Sequence, residues 1–479
     1  MARRTPPIYS GLVAERFDIA ILGGGMGGYP AAIRAAQLGL SVVLVEEDKV
    51  GGTCLHRGCI PAKALLQSAA LLDELRHADT FGVTTGDVHF DYSVAGRRRD
   101  QVVSQLHKGV QFLLRKNKVS VVSGRGRLDG AGRLVVTPPA GDAVEIEAGS
   151  VIIATGSRPK QLPGNPADGT VILTSDEALR IDRVPASAIV LGAGAVGVEF
   201  ASLYRSCGAE VTIVEMLPSL VPLEDAAVGG ELRKQFEARG ITCLTGHRLD
   251  LGSIERNEGG VAVTVAGEDG KEQRLQAELL LVAVGRAANV ESIGIEGTGV
   301  VVDRGVIAVD SMLRTGETGV SAVGDVVGGF QLAHKALHEG VLAVEAIAGR
   351  DPHPLDPRLV TRTTYCTPQI GSMGLSEAEA QAAGYEVATG VMPFLGNGRA
   401  VIWGESGGFC KVVADKADGT VLGVHIIGHE VTELIWGPAL GGLLETTAFE
   451  MGHAVAPHPT LSEVLSEAAL AVSGEAIHI

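Results

Sequence analysis

Aromatic residues make up only 4% of this 479-residue chain, so its interior must be packed mainly from Val, Leu, Ile and Ala. Basic charge is also short. Lys and Arg number 40 against 56 Asp and Glu, a formal net charge of −16, and that balance excludes nucleic acid as a partner, because phosphate backbones demand basic surface. Long apolar runs are missing: the best, from Ile189 to Val198, ends at Glu199, well short of the roughly 18 residues of a membrane helix. No membrane partner is therefore expected. The opening MARRTPPIYS has two arginines with no apolar stretch behind them, so no signal peptide is expected and a cytoplasmic location follows by default. Cysteine is scarce. Of the six, at positions 54, 59, 207, 243, 366 and 410, four stand alone, as in a reducing compartment, and no metal is expected.

Glycine is what the chain has in quantity: 65 residues, about double the usual share. The glycines fall in clusters between apolar runs, which points to tight turns and close backbone approach to ligands. The first cluster, Gly23-Gly-Gly25-Met-Gly-Gly28, follows the strand-like FDIAIL and precedes the helical YPAAIRAAQLG; a second strand, SVVLVE, ends on Glu46. The pattern returns as AIVL, Gly192-Ala-Gly194-Ala-Val-Gly197, a helical VEFASLYRSCG and VTIVE ending on Glu215, each counterpart 169 positions on.

One such fingerprint is weak evidence; two with the acid in the same place indicate two dinucleotide sites. In each, the first glycine makes the turn, the second admits the pyrophosphate and the third lets the helix pack close. Glu46 and Glu215 would accept hydrogen bonds from ribose hydroxyls, and at Glu215 the acid favours NAD and repels the extra phosphate of NADP. The competing reading of both glutamates is solvated charge at a strand end.

The fold class is α/β, with two Rossmann-like dinucleotide-binding domains and a C-terminal α/β interface domain. The boundaries read from the sequence are 1–158 for the first binding domain, 159–286 for the second, 287–355 for the rest of the first, and 356–479 for the interface domain, after the DPHPLDP linker. Just behind the first βαβ unit, GGTCLHRGCIPAK holds Cys54 and Cys59. A metal site would want a second pair, a structural disulfide fits a reducing compartment poorly, and a redox-active pair fits both facts. On an ideal helix residues five apart lie roughly 8–9 Å apart, beyond the reach of about 7 Å for a disulfide. The segment must then be distorted, and Gly58 permits it; Pro61 suits the first turn of a helix running on through Lys63.

GGTCLHRGCIPAK resembles the active-site motif of the pyridine nucleotide-disulfide oxidoreductase family, and within it GCIP-x-K is most similar to the dihydrolipoyl dehydrogenases. The likeness takes in both fingerprints, ATGS, VGD and PHPTLSE, leaving out only the first dozen or so residues. It implies that the first nucleotide is FAD and the second NAD. It implies that Cys54 exchanges with substrate, Cys59 lies against the flavin as a charge-transfer thiolate, and Lys63, paired with Glu199, sits near the flavin. Gly52, Thr53, Thr155, Gly156, Ser157, Gly324, Asp325, Ala333 and His334 would join the FAD site and Gly285 the NAD site, with Asp325 on the ribityl chain. His458 would take the proton of a dihydrolipoyl thiol and Glu463 would orient its ring, although Thr460-Leu-Ser-Glu463 also reads as a capping box. For Lys63 and Glu199 the competing reading is helix surface charge.

The activity implied is oxidation of dihydrolipoyl groups by NAD+ in a homodimer with shared active sites. The partner would be a lipoyl-bearing acyltransferase or the H-protein of a 2-oxo acid dehydrogenase or glycine-cleavage system. A quinone reductase or diaphorase of the same family is the alternative. The sequence departs from the family at His56, Ala62, the segment YCTPQI at 365–370 and VGRAAN; these bear on substrate, not on fold.

Overall fold

The runs FDIAIL, VVLVE and EAGSVII become parallel strands whose inner residues are buried on both faces, as strands covered by helices on each side must be. The computed structural model describes residues 16–479, so the opening segment read for a targeting signal lies outside the described residues. The chain forms two compact units.

Among the described residues, the first comprises 16–61, Asp100–Arg158 and Arg286–Leu355. Its central sheet runs Ser120–Ser123, Val42–Glu46, Arg16–Leu22, Val144–Ile153, all parallel, with Val320–Ala322 added beside the last. Arg133–Thr137 and Arg125–Leu128 extend it antiparallel. The register places Leu22 beside Val45 and Ile153, and Ile153 beside Ala322. The carboxyl ends therefore share one edge, the place where open α/β sheets bind ligands. On one face, helices Gly28–Gln37 and Ala333–Ile347 cross closely: a Cβ on Gly340 would sit 2.3 Å from the Gly27 carbonyl oxygen.

The second unit comprises Ala62–Arg99, Pro159–Gly285 and Asp356–Ile479. Its parallel sheet, ordered Ile241–Thr245, Glu210–Glu215, Ser187–Leu191, Leu279–Val282, Ile172–Leu173, repeats the arrangement of the first. A three-stranded antiparallel sheet, 247–277, adjoins it in sequence, and an antiparallel five-stranded sheet is built from residues 362–428. Residues 62–99 belong to this unit, where Leu65, Ala69, Tyr92 and Ala95 share a core with Tyr204, Phe236 and Ile213. Among the described residues no helix is long and apolar enough to cross a membrane.

Candidate active site

The two glycine turns are the same structure built twice. Gly23 and Gly192 adopt φ of +108° and +100°, a region that side chains disfavour, and their amides donate to Val45 O and Val214 O at 2.8 Å. The third glycines are steric necessities: a Cβ on Gly28 would lie 1.8 Å from Gly23 O, and one on Gly197 would lie 1.9 Å from Gly192 O. The second glycines face space. Gly25 meets only the Gly52 Cα at 3.8 Å, and Gly194 meets nothing within 4 Å, which leaves room for a phosphate to approach the backbone.

Both strand-end acids are engaged rather than merely solvated. Glu46 accepts from the amides of Gly24 (2.6 Å) and Asp48 (2.8 Å); Glu215 accepts from Ala193 (2.7 Å) and Leu217 (2.8 Å). Burial pushes the Glu46 carboxyl above the usual carboxylate range, against the amide bonds from Asp48 and Gly24 that favour its ionised form. Each carboxylate oxygen retains a further lone pair for a ribose hydroxyl.

The redox motif folds as two helices broken at Gly58. The first, Gly52–Arg57, carries Thr53 and Cys54 and is anchored in the core by Leu55; the second, Cys59–Arg76, opens on Cys59. Gly58 has ψ −116°, far from helical, and a Cβ there would sit 3.0 Å from Thr53 O and 3.4 Å from the Cys54 Cα. The break thus turns residue 58 back over the Thr53–Cys54 peptide, the distortion that a five-residue spacing requires. Both cysteines are half-buried. Gly52 packs on the first glycine turn, its missing Cβ only 2.6 Å from the Gly25 Cα. Lys63 follows four residues after Cys59 on the same helix, hence on the same face.

Lys63 and Glu199 form a two-pronged pair, with Nζ 2.8 Å from each carboxylate oxygen. Glu199 is buried and also accepts the Tyr365 amide at 2.9 Å, while the Lys63 ammonium lies 4.8 Å from the Tyr365 ring centroid. The surface-charge reading of these two residues does not describe this geometry. The YCTPQI segment therefore contributes backbone and ring at residue 365, and Cys366 points inward, fully buried.

At the carboxyl edge of the first sheet, Ser157 Oγ donates to Asp325 Oδ2 and accepts from Arg286 Nε at 2.7 Å. Asp325 lies in the short 3-10 helix Gly324–Val327. Thr155 and Gly156 are pinned by Asn289: its amide donates to Gly156 O at 2.9 Å and its side chain to Thr155 O at 2.9 Å, while Thr155 Oγ1 donates to its carbonyl at 2.8 Å. Ala333 and His334 begin helix Ala333–Ile347. In the second unit Gly285, with φ +101°, follows the strand that ends at Val282, beside Leu191.

His458 and Glu463 meet directly, Nδ1 to Oε1 at 2.8 Å, and the imidazole is exposed. Burial opposes ionisation of Glu463, but the bonds from His458 and the Thr460 amide outweigh it and hold its carboxyl below the usual range. An ionised carboxylate only accepts, so Nδ1 carries the hydrogen and, in the neutral ring, Nε2 keeps its lone pair. The capping box is half made: Glu463 Oε2 accepts the Thr460 amide at 2.9 Å, but Thr460 Oγ1 donates to Pro457 O, and the helix begins at Glu463 itself. The two readings of Glu463 are thus compatible, one on each oxygen.

The family model described as pyridine nucleotide-disulphide oxidoreductase matches residues 17–340, and its dimerisation domain matches 360–469. A dihydrolipoyl dehydrogenase of Bacillus subtilis is 44% identical over 97% of this chain and 100% of its own length. One from Zymomonas mobilis is 46% identical over the same shares. Among solved structures, LpdA from Mycobacterium tuberculosis superposes with a TM-score of 0.87 at 30% identity, covering 95% of this chain and 99% of its own. The HOCl-induced flavoprotein disulfide reductase RclA from Escherichia coli, solved as a Cu(II) complex, gives 0.83 at 25% identity over the same shares.

Proposed function

The chain belongs to the pyridine nucleotide-disulphide oxidoreductase family, and from that premise we infer that it oxidises dihydrolipoyl groups with NAD+, the reaction of dihydrolipoyl dehydrogenases. FAD and NAD are its cofactors and it assembles as a homodimer. The residues present fit both nucleotides: each cleft has a steric demand for glycine, an open second glycine and a carboxylate at the strand end. Gly23, Gly25, Gly28, Glu46, Gly52, Thr53, Thr155–Ser157, Gly324, Asp325, Ala333 and His334 would hold FAD. Gly192, Gly194, Gly197, Glu215 and Gly285 would hold NAD. Bound, the two supply the two-electron relay that reoxidises the enzyme dithiol.

The observation that carries the reading is the His458–Glu463 pair, with Nε2 left as a base. A cycle through substrate thiols needs such a group; reduction of a quinone by NADH does not. In the reaction, Nε2 of His458 takes a thiol proton from the dihydrolipoyl group. The resulting thiolate attacks Cys54 Sγ and breaks its bond to Cys59, which leaves as a thiolate. The second substrate thiol then displaces Cys54, closing the lipoyl disulfide and leaving both cysteines reduced. Cys54 of one subunit would face His458 of the other. The lipoyl group would arrive on an acyltransferase or H-protein, in the cytoplasm. The deciding experiment runs two assays side by side, dihydrolipoamide-driven NAD reduction and NADH-driven quinone reduction. Efficient turnover only in the second would defeat the assignment.

A further inference from the structure

The helix Ala333–Ile347 contains a buried ion pair. Lys335 Nζ lies 2.5 Å from Glu339 Oε1, and the side chains are 10% and 6% exposed. Both partners also bond to the neighbouring turn: Gly324 N donates to Glu339 Oε2 at 2.7 Å, and Lys335 Nζ donates to Gly328 O at 3.2 Å. They therefore grip the two ends of the short helix Gly324–Val327, the element that presents Asp325. Ser157, itself held by Arg286, grips Asp325 through its side chain.

The same helix is fixed to the first glycine turn. Gly340, adjacent to Glu339, packs where its Cβ would lie 2.3 Å from Gly27 O, and a Cβ on Gly27 would touch the Val323 side chain at 3.0 Å and approach Ala336 O to 3.6 Å. Farther along, Arg34 Nε donates to Glu345 Oε1 at 2.9 Å, tying the two helices again. One helix thus touches both the Gly23–Gly28 turn and the Asp325 turn, and the ion pair is its grip on the second.

A buried pair is weak as a source of stability, because desolvation offsets most of the attraction, yet removing one partner strands the other. Its use here is geometric. We propose that Lys335 and Glu339 are positioning residues that set the Asp325 turn against the first glycine turn, so that the affinity for FAD depends on Glu339 acting through Asp325. The proposal rests on reading that edge as the FAD cleft.

The test measures FAD dissociation from full-length holoenzyme by the rise in flavin fluorescence on dilution. Glu339→Gln should raise the dissociation constant on the order of tenfold, the scale of one stranded buried polar group. Asp325→Ala should also raise it. Because one acts through the other, the double variant should lose less than the product of the two single effects; a multiplicative loss would overturn the proposal. Lys335→Arg, which keeps a cation in reach, should restore near-normal affinity relative to Lys335→Met. If Glu339→Gln does not yield folded enzyme, this Lys335 pair of variants decides, and equal affinity in both would count against the grip. Unchanged affinity in Asp325→Ala would instead remove the cleft reading. A weakened Asp325→Ala beside an unaffected Glu339→Gln would overturn the positioning role alone.

Discussion

A cysteine's chemistry is set by its surroundings, and here six identical side chains divide sharply. Burial pushes the Cys207 thiol up to about 12 and the Cys243 thiol up to about 11, and raises Cys366 and Cys410 as well. Thiols of that kind are inert near neutrality. Iodoacetamide applied to the reduced native enzyme at neutral pH should therefore label Cys54 and Cys59 and spare the other four, read by peptide mass spectrometry. Modification of Cys366 or Cys410 at a comparable rate would contradict the burial seen here. His458, as the proposed base, makes a second residue-level prediction. His458→Ala should lower lipoamide turnover by roughly two to four orders of magnitude, with a much smaller effect on NADH-driven dye reduction. Glu463 has a folded-state carboxyl below its ordinary range, so its contact with His458 survives as pH falls past the point where an unfolded-chain glutamate protonates. It is lost only as pH drops through the lower, folded value. Glu463→Gln should thus already depress turnover at neutral pH, roughly tenfold or more; unchanged turnover there would mean that its charge is not what orients the ring.

Two short turns are built alike in the two halves, and each tolerates no side chain at its last glycine. Gly28→Ala and Gly197→Ala both push a methyl group to within 2 Å of a carbonyl oxygen, an overpacking that costs about 1–3 kcal/mol or more. Their consequences should differ. Gly28→Ala should release flavin, whereas Gly197→Ala should keep a yellow enzyme with a raised KM for NAD; the reverse pattern would exchange the two assignments. Glu215→Ala should narrow the preference for NAD over NADP, measured as the ratio of kcat/KM values. These turns were legible in the sequence because only glycine satisfies a positive φ and a contact under 2 Å, so the demand is written as residue identity. The amide of Tyr365 on Glu199, and that of Asn289 on Gly156, were not legible, since every residue but proline carries a backbone donor. Lys335 and Glu339 were missed for another reason: four apart on a helix, they look like any exposed ion pair, and nothing in the spacing says that the pair is buried.

At the scale of the whole chain, the cysteine pair stands near one end of the sequence and His458, the proposed base, near the other. If the two subunits share each site, mixing Cys54→Ser with His458→Ala subunits should restore activity. One site of each mixed dimer inherits both defects and the other neither, so random exchange should return about a quarter of the native rate. No recovery with mixed dimers demonstrably present would refute sharing. The grouping of residues 62–99 with the second unit is a feature that periodicity could not supply. An amphipathic pattern reveals that a helix has an apolar face, but not which core receives it; Leu65 and Ala69 pack with Tyr204 and Phe236 only once the chain is folded.

The repeated turns carry one more consequence. Strand-end carbonyl, first glycine, loop amide, acid and following amide recur 169 positions apart, with the same bonds between the same atoms. A socket copied so closely encodes nothing about which of two molecules it receives. The information that tells the halves apart must be written just outside the copied part. In the first half that is the redox helix at Gly52 and the Asp325 turn; in the second, it is the residues around Gly285. The two halves share one arrangement of glycine turn and acid, and what distinguishes them is what each turn is given to touch.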